Sequence, residues 1–531
     1  MEKGQILDID IFDLSGEGQG IGRADGMVVF VGGTVPGDRA KVQLTKVKKN
    51  YAFGKLVEIL EKSPDRVEEL CEYHTGVVNP DDEKKRNVRC GGCPYADITY
   101  SAQLLVKENQ VKQKLSHLAG IDFDAYDAPV FNPIVGMSEE DNEGQGSYRY
   151  RNKAVMPVST GGLMTRKGGI QEPVHEPRIG FLPAKSHDVI DCQDCWLQAL
   201  PAMAAADAMR RFMVEDNITS YDERWDKGLM KSMTVKTAFG TGDVMVVLEI
   251  NGKGIPNAAK LIEMLSDAIA DVEVDEFGEP YYGLESVALK ITKASGKVEV
   301  TTLAGKNTIT DVVNIYDAES GEYKEMQFEI SPESFYQVNQ VQMQRLYSLV
   351  REYCQRATYV NMSAGASDGP VILDLYCGIG TIGLCLADMA EKVVGIEIVK
   401  DAIIDANRNA VINGIVNARY ICGKSEEIIP SCMGQSDAFD VSKIDDDVVE
   451  AIKAANIAVL DPPRAGCRPE LLETIVAAGI DHIIYVSCDP ATLARDIKML
   501  AENGFRLEEV TPVDLFPHTS HVECIGLLSR I

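Results

Sequence analysis

Short runs of alternating apolar and polar residues, separated by glycine turns, fill the first part of the chain. Period-two alternation bounded by turn residues is typical of β-strands. A Ser63-Pro64-Asp65 segment then interrupts the pattern. The sequence therefore predicts a small β-barrel over residues 1–62. Its strand-like runs are Gln5–Ile9, Gly26–Val31, Ala40–Leu44 and Gly54–Leu60.

Beyond this boundary the periodicity changes twice. Apolar side chains recur at helical spacing between about Tyr100 and Leu118. Residues 125–325 mix short strand-like and helical stretches, whereas strand and helix patterns alternate regularly from about residue 326. Regular alternation indicates a parallel sheet with helices on both faces. We expect a multidomain protein: an OB-like barrel at 1–62, a central α+β domain at 63–96 and 125–325, and a C-terminal α/β Rossmann-like domain at 97–124 and 326–531.

Length and composition agree with this division and narrow the functional classes. At 531 residues the chain is long enough for about three domains. Neither a leader peptide nor an apolar stretch of about 18 residues is recognisable, so we expect a cytoplasmic protein that does not cross a membrane, and we expect a monomer. The net charge of −28 disfavours nucleic acid as a partner. Acidic residues cluster in runs such as Asp81–Glu83 and Asp445–Asp447, however, so a basic groove elsewhere is compatible with the composition.

A strand that runs into a glycine turn marks the first candidate site. Val371–Leu375 has the pattern of a buried strand, and the following Tyr376–Gly380 contains two glycines that let the backbone approach a ligand. The next strand ends at Glu397, at a spacing of about twenty residues, where a carboxylate accepts hydrogen bonds from both ribose hydroxyls. The turn lacks a third glycine and a Lys-Ser/Thr pair, so an adenosine ligand without phosphates fits best. We expect S-adenosylmethionine.

Two further strand ends carry candidate chemistry. Ile457–Leu460 is followed by Asp461-Pro462-Pro463-Arg464, a rigid loop typical of methyltransferases that act on bases. Ile483–Val486 is followed by Ser487 and Cys488, just before a predicted helix. Ligands bind at the carboxyl ends of parallel strands, and a helix N-terminus lowers the pKa of a thiol. We therefore expect Cys488 to be a nucleophile that is partly ionised at neutral pH.

A thiol that adds to a pyrimidine ring also needs a base nearby. The segment Pro517–Cys524 offers Glu523 at the entrance of an apolar terminal strand. Burial at that position raises the pKa of a carboxyl toward the range that general acid–base catalysis requires. The alternative is an ordinary charge at a strand edge.

Several motifs together resemble the RNA uracil-5 methyltransferase family (RumA and TrmA type). The N-terminal part resembles a TRAM domain, the RNA-binding barrel of the ribosomal RNA branch of that family. The C-terminal segments that carry the resemblance are Phe335–Asn339, Asp374–Gly380, Asp461–Arg464, Ser487–Pro490 and His521–Glu523, and those in the barrel are Gly18–Gly22 and Pro36–Asp38.

The resemblance implies a role for each candidate site residue. Cys488 attacks C6 of a uracil so that C5 accepts the methyl group, and Glu523 then removes the C5 proton. Arg464 holds the target nucleotide, with a structural salt bridge as the alternative. The residues implied to bind S-adenosylmethionine are Gln337, Tyr376, Glu397 and Asp461.

The family also carries a [4Fe-4S] cluster in its central domain. Thirteen cysteines favour thiol chemistry or metal ligation over a disulfide framework in a chain of this kind. A close Cys-x-x-Cys pair with two distant cysteines suits an iron-sulfur cluster or zinc equally. A long insertion, Glu72–Arg89, precedes the second cysteine, and Cys192 is an alternative to the fourth. The cysteines that map onto the family's ligands are Cys71, Cys90, Cys93 and Cys195.

Two segments are candidates for RNA contact. In the barrel, lysines interleave with Tyr51 and Phe53, a composition that suits phosphate contacts and base stacking, with a solvated strand face as the alternative. Tyr148–Lys153 also matches a family segment. We expect large-subunit ribosomal RNA as the substrate, with transfer RNA as the near alternative and a non-catalytic RNA-binding protein as the alternative from another class. The barrel lysines are Lys46, Lys48, Lys49 and Lys55.

Overall fold

The structure is a computed structural model that describes residues 1–67, 71–75, 90–160, 177–183, 189–223, 226–274, 278–292, 296, 298–363 and 369–531. Most of the insertion noted at Glu72–Arg89, including the acidic run Asp81–Glu83, lies outside these described residues.

The N-terminal region is a closed barrel of five strands in the order β1-β2-β3-β5-β4. Alternate side chains such as Ile9, Val29 and Val42 fill its interior. Strand β2 was not among the predicted runs because it is rich in glycine. A Cβ at Gly20 would lie 2.1 Å from Thr34 Oγ1, so the close packing of this strand requires glycine. The strands are β1 (Ile6–Leu14), β2 (Gly20–Ala24), β3 (Met27–Gly32), β4 (Arg39–Val47) and β5 (Tyr51–Glu61).

A connecting region links the barrel to the other two domains. Its main helix begins after Thr99, whose side chain accepts a hydrogen bond from the backbone N–H of Ala102, and it continues into one π-helical turn, Leu115–Ala119. A short strand pairs in parallel with Glu509–Val510 of the last domain, so the C-terminal domain takes in residues beyond the boundary expected at 124. The elements are α1 (Glu72–Thr75), α2 (Tyr100–Lys114), β6 (Val130–Phe131) and α3 (Asp141–Gly144).

The central domain is a seven-stranded sheet in the order β13-β12-β11-β10-β7-β8-β9, covered by two helices. The pairing is antiparallel except between β11 and β12, which matches the α+β class expected from the sequence. The elements are β7 (Lys153–Thr160), β8 (Pro177–Phe181), β9 (Ile190–Asp191), α4 (Leu200–Glu215), β10 (Met230–Thr237), β11 (Asp243–Ile250), α5 (Ala258–Ala270), β12 (Gly283–Thr292) and β13 (Val298–Gly305).

A hairpin and a long helix lead into the last domain. The hairpin packs on the helix, and Asp311, buried at its start, accepts hydrogen bonds from Tyr336 Oη (3.0 Å) and Gln340 Nε2 (2.9 Å). These bonds fix the loop that precedes the helix. The elements are β14 (Ile309–Asp317), β15 (Glu322–Ile330) and α6 (Gln340–Ser363).

The C-terminal domain is an eight-stranded sheet in the order β18-β17-β16-β19-β20-β22-β21-β6. Its central strands are parallel, and apolar cores cover both faces, as the strand–helix alternation predicted. No helix in the described part of the chain has the length and apolar character needed to cross a membrane. The elements are β16 (Val371–Leu375), α7 (Thr381–Leu386), β17 (Lys392–Glu397), α8 (Lys400–Ile412), β18 (Ala418–Cys422), α9 (Ser425–Cys432), α10 (Asp446–Ala454), β19 (Ile457–Leu460), α11 (Pro469–Ala477), β20 (His482–Ser487), α12 (Pro490–Glu502), β21 (Phe505–Val513) and β22 (Glu523–Arg530).

Candidate active site

The glycine turn after β16 forms an open cradle at the carboxyl edge of the sheet. Tyr376 has a positive φ of 64°, and Gly380, at φ 81°, begins helix α7. A non-glycine residue holds such a conformation only where its surroundings impose it. Asp374 is buried below the turn, and its carboxylate accepts the backbone N–H of Gly383 at 2.9 Å. The backbone of the turn is thereby fixed for the approach of a ligand.

Glu397 lies beside this turn, as the spacing predicted. One carboxylate oxygen accepts the N–H of Val399 (2.9 Å) and the other accepts the N–H of Gly378 (3.3 Å). Two backbone bonds orient the carboxylate at the end of β17. A Cβ on Gly395 of the same strand would lie 2.4 Å from the Tyr420 ring, so glycine is required where the strand passes under that ring.

Gln337 lies in the loop between β15 and α6 and is only 5% exposed. Its backbone carbonyl accepts a hydrogen bond from Asn152 Nδ2 of the central domain at 2.8 Å. At the start of the same loop, Ser334 Oγ donates to Asp405 of α8 at 2.5 Å. The loop is therefore held between the central domain and the helix that follows Glu397.

Cys488 and Glu523 lie opposite each other across two antiparallel strands. Strand β20 pairs with β22 so that Ser487 faces Cys524, and the next step of this register sets Cys488 against Glu523. Glu523 is 2% exposed, and its Oε1 has no hydrogen-bond partner among the described residues. A buried carboxyl oxygen without a partner is costly, which favours a function in binding or proton transfer.

The electrostatics of the pair differ from the expectation for the thiol. Burial raises the pKa of Cys488 to about 11, and the neighbouring Glu523 and Asp461 add to this effect. The expectation of a partly ionised thiol is therefore wrong for the free protein. The Asp489 side chain caps α12 and accepts a hydrogen bond from the N–H of Ala491 at 2.8 Å. The first N–H groups of the helix are therefore shared between this carboxylate and the thiol, which weakens their effect on the pKa of Cys488.

The carboxyls of the site keep their protons to a higher pH than usual. Burial, followed by the charge of Asp461, raises the pKa of Glu523 well above its ordinary value, as its place in an apolar strand predicted. Burial and the charge of Asp374 likewise raise the pKa of Asp461 to about 7. Arg464 opposes the shift on both Cys488 and Glu523. Burial in the free protein therefore favours the neutral forms of both the Cys488 thiol and the Glu523 carboxyl.

His521 also belongs to this site, although no role is predicted for it from the sequence. Its Nε2 lies 3.1 Å from Arg464 Nη2, and because an arginine only donates, the ring nitrogen is the acceptor. Burial, with the charge of Arg464 next, lowers the pKa of His521 to about 4, so the ring is neutral. The contact restrains the guanidinium, whose charge acts on both Cys488 and Glu523. Its position two residues before Glu523 is the sequence feature that indicates a place in the site.

A second cluster of candidate residues surrounds an apolar cavity of about 40 Å³ in the connecting region. Within the described ranges, no three His, Cys, Asp or Glu side chains are placed to hold a single metal ion. His74 also lines the cavity, and its buried Nδ1 has no hydrogen-bond partner among the described residues. Cys192 hydrogen-bonds to Cys195 and lowers the pKa of that thiol to about 7. The cysteines that line the cavity are Cys71, Cys90, Cys93, Cys192 and Cys195.

Known proteins resemble this chain in sequence and in fold. The family model described as tRNA (uracil-5-)-methyltransferase matches residues 284–531, and the TRAM domain model matches residues 1–57. An uncharacterized RNA methyltransferase of Clostridium acetobutylicum is 35% identical over 531 residues, covering 100% of this chain and 98% of the relative. The chain belongs to the RNA uracil-5 methyltransferase family. A second uncharacterized RNA methyltransferase of this kind, from Caldanaerobacter subterraneus subsp. tengcongensis, is also 35% identical, over 99% of both chains.

One solved structure shares the fold over nearly the whole length. It is the Pyrococcus abyssi tRNA (uracil-54, C5)-methyltransferase in complex with S-adenosyl-L-homocysteine. It matches with a TM-score of 0.66 and 22% identity, covering 98% of this chain and 100% of the other. These matches confirm the predicted TRAM domain and the predicted C-terminal methyltransferase fold of this uracil-5 methyltransferase family member.

The family segment Tyr148–Lys153 has a structural role in this protein. Both guanidinium nitrogens of Arg149 bind the Asp194 carboxylate, at 2.7 and 2.9 Å, and the buried Tyr150 donates its hydroxyl to the Pro517 carbonyl at 3.0 Å. These groups are occupied within the protein. Contact of the segment Tyr148–Lys153 with RNA stays a prediction; the bonds of Arg149 and Tyr150 tie the segment to Asp194 and to Pro517, in the loop before β22.

Proposed function

We propose that this protein methylates C5 of a uridine in large-subunit ribosomal RNA, with S-adenosylmethionine as the methyl donor, through a covalent adduct of Cys488. Family membership supports the coarser activity, S-adenosylmethionine-dependent RNA uracil-5 methylation. The observation that carries the covalent scheme is the proximity of the two groups. Cys488 follows Ser487 and Glu523 precedes Cys524 at the last pair of the β20–β22 register, and the charge of Glu523 acts on the Cys488 thiol.

In the proposed reaction, the Cys488 thiolate attacks C6 of the uracil and the C5–C6 π electrons move toward O4. The sulfonium methyl of S-adenosylmethionine is then transferred to C5. Glu523, as the carboxylate, removes the C5 proton, the C5–C6 double bond re-forms, and the thiolate leaves. Arg464 favours the ionised forms of both groups because its positive charge lowers the pKa of each.

Donor binding is proposed for Gln337, Tyr376, Glu397 and Asp461. The oriented Glu397 carboxylate suits the ribose hydroxyls, and the raised pKa of Asp461 favours a cationic rather than an anionic ligand.

Substituting Glu523→Gln tests the scheme. The amide has the size of the carboxyl but accepts no proton, so we expect a covalent protein–RNA adduct that migrates slowly on a denaturing gel. The matched control is Cys488→Ala/Glu523→Gln, which is expected to form no adduct. If Glu523→Gln gives no adduct although the wild-type protein methylates RNA, the assignment of Glu523 as the base is refuted.

The barrel supports RNA as the substrate. Its lysines Lys46, Lys48 and Lys49 are exposed, and Tyr51 is 40% exposed next to the rings of Phe30 and Phe53. Exposed aromatic rings between lysines suit single-stranded RNA. The choice of ribosomal over transfer RNA is tested by mapping 5-methyluridine in total RNA of a deletion strain: loss from large-subunit ribosomal RNA supports the proposal, and loss from transfer RNA alone contradicts it.

We further propose that the cysteine cavity holds a [4Fe-4S] cluster, with Cys71, Cys90, Cys93 and Cys195 as its ligands. A single zinc ion needs four ligands about 2 Å from one point, and the described side chains offer no such point. In a cluster each thiolate binds a separate iron, so cysteines spread around an apolar cavity fit it better. Cys192 then donates an S–H hydrogen bond to Cys195.

The metal content decides between cluster and zinc. Protein purified without oxygen is expected to be brown, with iron and sulfide each near four per chain. Cys93→Ser is expected to lower both, whereas Cys422→Ser, which alters an exposed cysteine away from the cavity, is expected to leave them unchanged. A colourless protein that contains zinc would contradict the cluster.

A further inference from the structure

The loop between β21 and β22 connects the cysteine cavity with the active site. Its middle residue, His518, lines the cavity, and its last residues are His521 and Val522, directly before Glu523. The first residue, Asp514, is fully buried, and its carboxylate accepts Lys107 Nζ at 2.6 Å. The loop is thus anchored at one end and leads at the other into β22, whose first residue is Glu523.

His518 is held on both its backbone and its ring. The backbone N–H donates to Gln103 Oε1 at 2.9 Å, and the carbonyl accepts the N–H of Tyr95 at 3.1 Å. Ring Nε2 lies 2.9 Å from Ser147 Oγ, and ring Nδ1 lies 3.2 Å from Gln103 Nε2. The ring also stacks on Tyr148, with centroids 4.5 Å apart and planes 18° from parallel.

These partners assign the protonation of the ring. The Gln103 amide nitrogen can only donate, so Nδ1 is the acceptor, and Nε2 carries the hydrogen that is donated to Ser147 Oγ. The residue is 4% exposed. A neutral imidazole therefore accepts the hydrogen bond from Gln103 and donates one to Ser147.

The backbone of His518 is strained. Its φ of 65° lies in the left-handed region, which a residue other than glycine adopts only when its surroundings impose it. The hydrogen bonds and the ring stack provide that restraint. Without them the backbone is expected to relax, and the relaxation reaches Glu523 because only four residues separate the two positions.

Cys488 is anchored independently of this loop. It lies between β20 and the capped N-terminus of α12, where Ser487 Oγ donates to the Asp489 carbonyl at 3.1 Å. Disturbance of the loop therefore displaces the base and leaves the nucleophile in place.

We infer that His518 is a positioning residue that holds Glu523 against Cys488 by fixing the left-handed bend of the loop between β21 and β22. The inference rests on the proposed function. It predicts that loss of the imidazole slows removal of the C5 proton far more than it slows adduct formation.

The test compares His518→Leu with His518→Asn. Leucine removes both ring hydrogen bonds and disfavours the left-handed bend, whereas asparagine tolerates that bend and keeps a polar side chain. The substrate is RNA carrying tritium at C5 of its uridines. For His518→Leu we expect tritium release to slow at least tenfold, adduct to accumulate, and the rate of adduct formation to stay within about twofold of wild type. His518→Asn is expected to recover much of the release rate.

The outcomes separate the hypotheses. Tritium release at the wild-type rate in His518→Leu overturns the inference, and so does a parallel loss of adduct formation and release. Absence of both adduct and release in the wild-type protein refutes the proposed function instead. If His518→Leu does not fold, Ser147→Ala removes one ring partner, and it is expected to shift the ratio of adduct to product in the same direction; an unchanged ratio overturns the inference.

Discussion

The raised pKa of Cys488 makes formation of the covalent adduct steeply dependent on pH. With a pKa of about 11, only the thiolate reacts, and it is a minor species at neutral pH. The ionised fraction is roughly one in ten thousand at pH 7 and roughly one in three hundred at pH 8.5. The rate of adduct formation is therefore expected to rise about thirty-fold over this interval.

The assay follows the trapped adduct of Glu523→Gln under single-turnover conditions with saturating RNA. The amide matches the carboxyl in size, and the pKa of Cys488 stays raised in this variant because burial is the largest cause of its shift. RNA affinity is measured at each pH with Cys488→Ala, so that changes in binding are separated from changes in ionisation. Arg464→Met removes the cation that lowers the pKa of the thiol and is expected to slow adduct formation at every pH. A rate that is constant between pH 7 and 8.5 would refute the reasoning, because it would require a thiol already ionised in the complex.

Two substitutions test the packing that supports the site. Lys107→Met leaves the Asp514 carboxylate buried without its cation, so we expect a loss of about 3–5 kcal/mol of unfolding free energy. The double variant Lys107→Met/Asp514→Leu is expected to recover most of this loss. Urea denaturation measures both variants, and equal losses would contradict the prediction. Gly395→Ala places a Cβ 2.4 Å from the Tyr420 ring, so we expect a loss of about 1–3 kcal/mol of unfolding free energy and weaker binding of S-adenosylhomocysteine. Gly395→Ala/Tyr420→Leu is expected to recover binding. If calorimetry shows wild-type affinity in the single variant, the prediction is refuted.

The parts of the fold that follow from local pattern were predictable from the sequence. Parallel strands with helices on both faces leave long apolar runs, and the residues that follow such strands lie at one edge of the sheet. For this reason the sequence alone predicts Glu397, Asp461 and Cys488 at strand ends. Strand β2 was missed because glycines, which ordinarily indicate a turn, are needed there for close packing against Thr34.

The parts that depend on contacts distant in sequence were not predictable. His521 pairs with Arg464 across 57 positions, and Gln103 meets His518 across 415. Nothing in the helical pattern of α2 indicates that Lys107 is buried and paired with Asp514. The pKa of Cys488 was misjudged for the same reason: position at a helix N-terminus is a local property, whereas burial beside Glu523 depends on the pairing of β20 with β22.

The excess of carboxyl groups at the sheet edge leads to a prediction about the methyl donor. Burial raises the pKa of Asp374 and of Asp461 to about 7 in the free protein. The charge of Glu397 adds to the shift of Asp374, and the charge of Asp374 adds to the shift of Asp461. An anionic ligand such as a nucleotide phosphate is repelled by such a site, whereas a sulfonium favours the ionised carboxylates.

S-adenosylmethionine carries the sulfonium charge, and S-adenosylhomocysteine lacks it but shares every other titrating group. If the cation lowers the pKa of one carboxyl from about 7 to below 6, binding at low pH must release a proton, and affinity rises as the pH passes through 7. The ratio of the two dissociation constants is therefore expected to change about tenfold in favour of S-adenosylmethionine between pH 6 and pH 8. Calorimetry with both ligands over this range measures the ratio. A constant ratio would show that the carboxyls do not sense the charge of the donor, and it would remove the electrostatic argument for a cationic ligand.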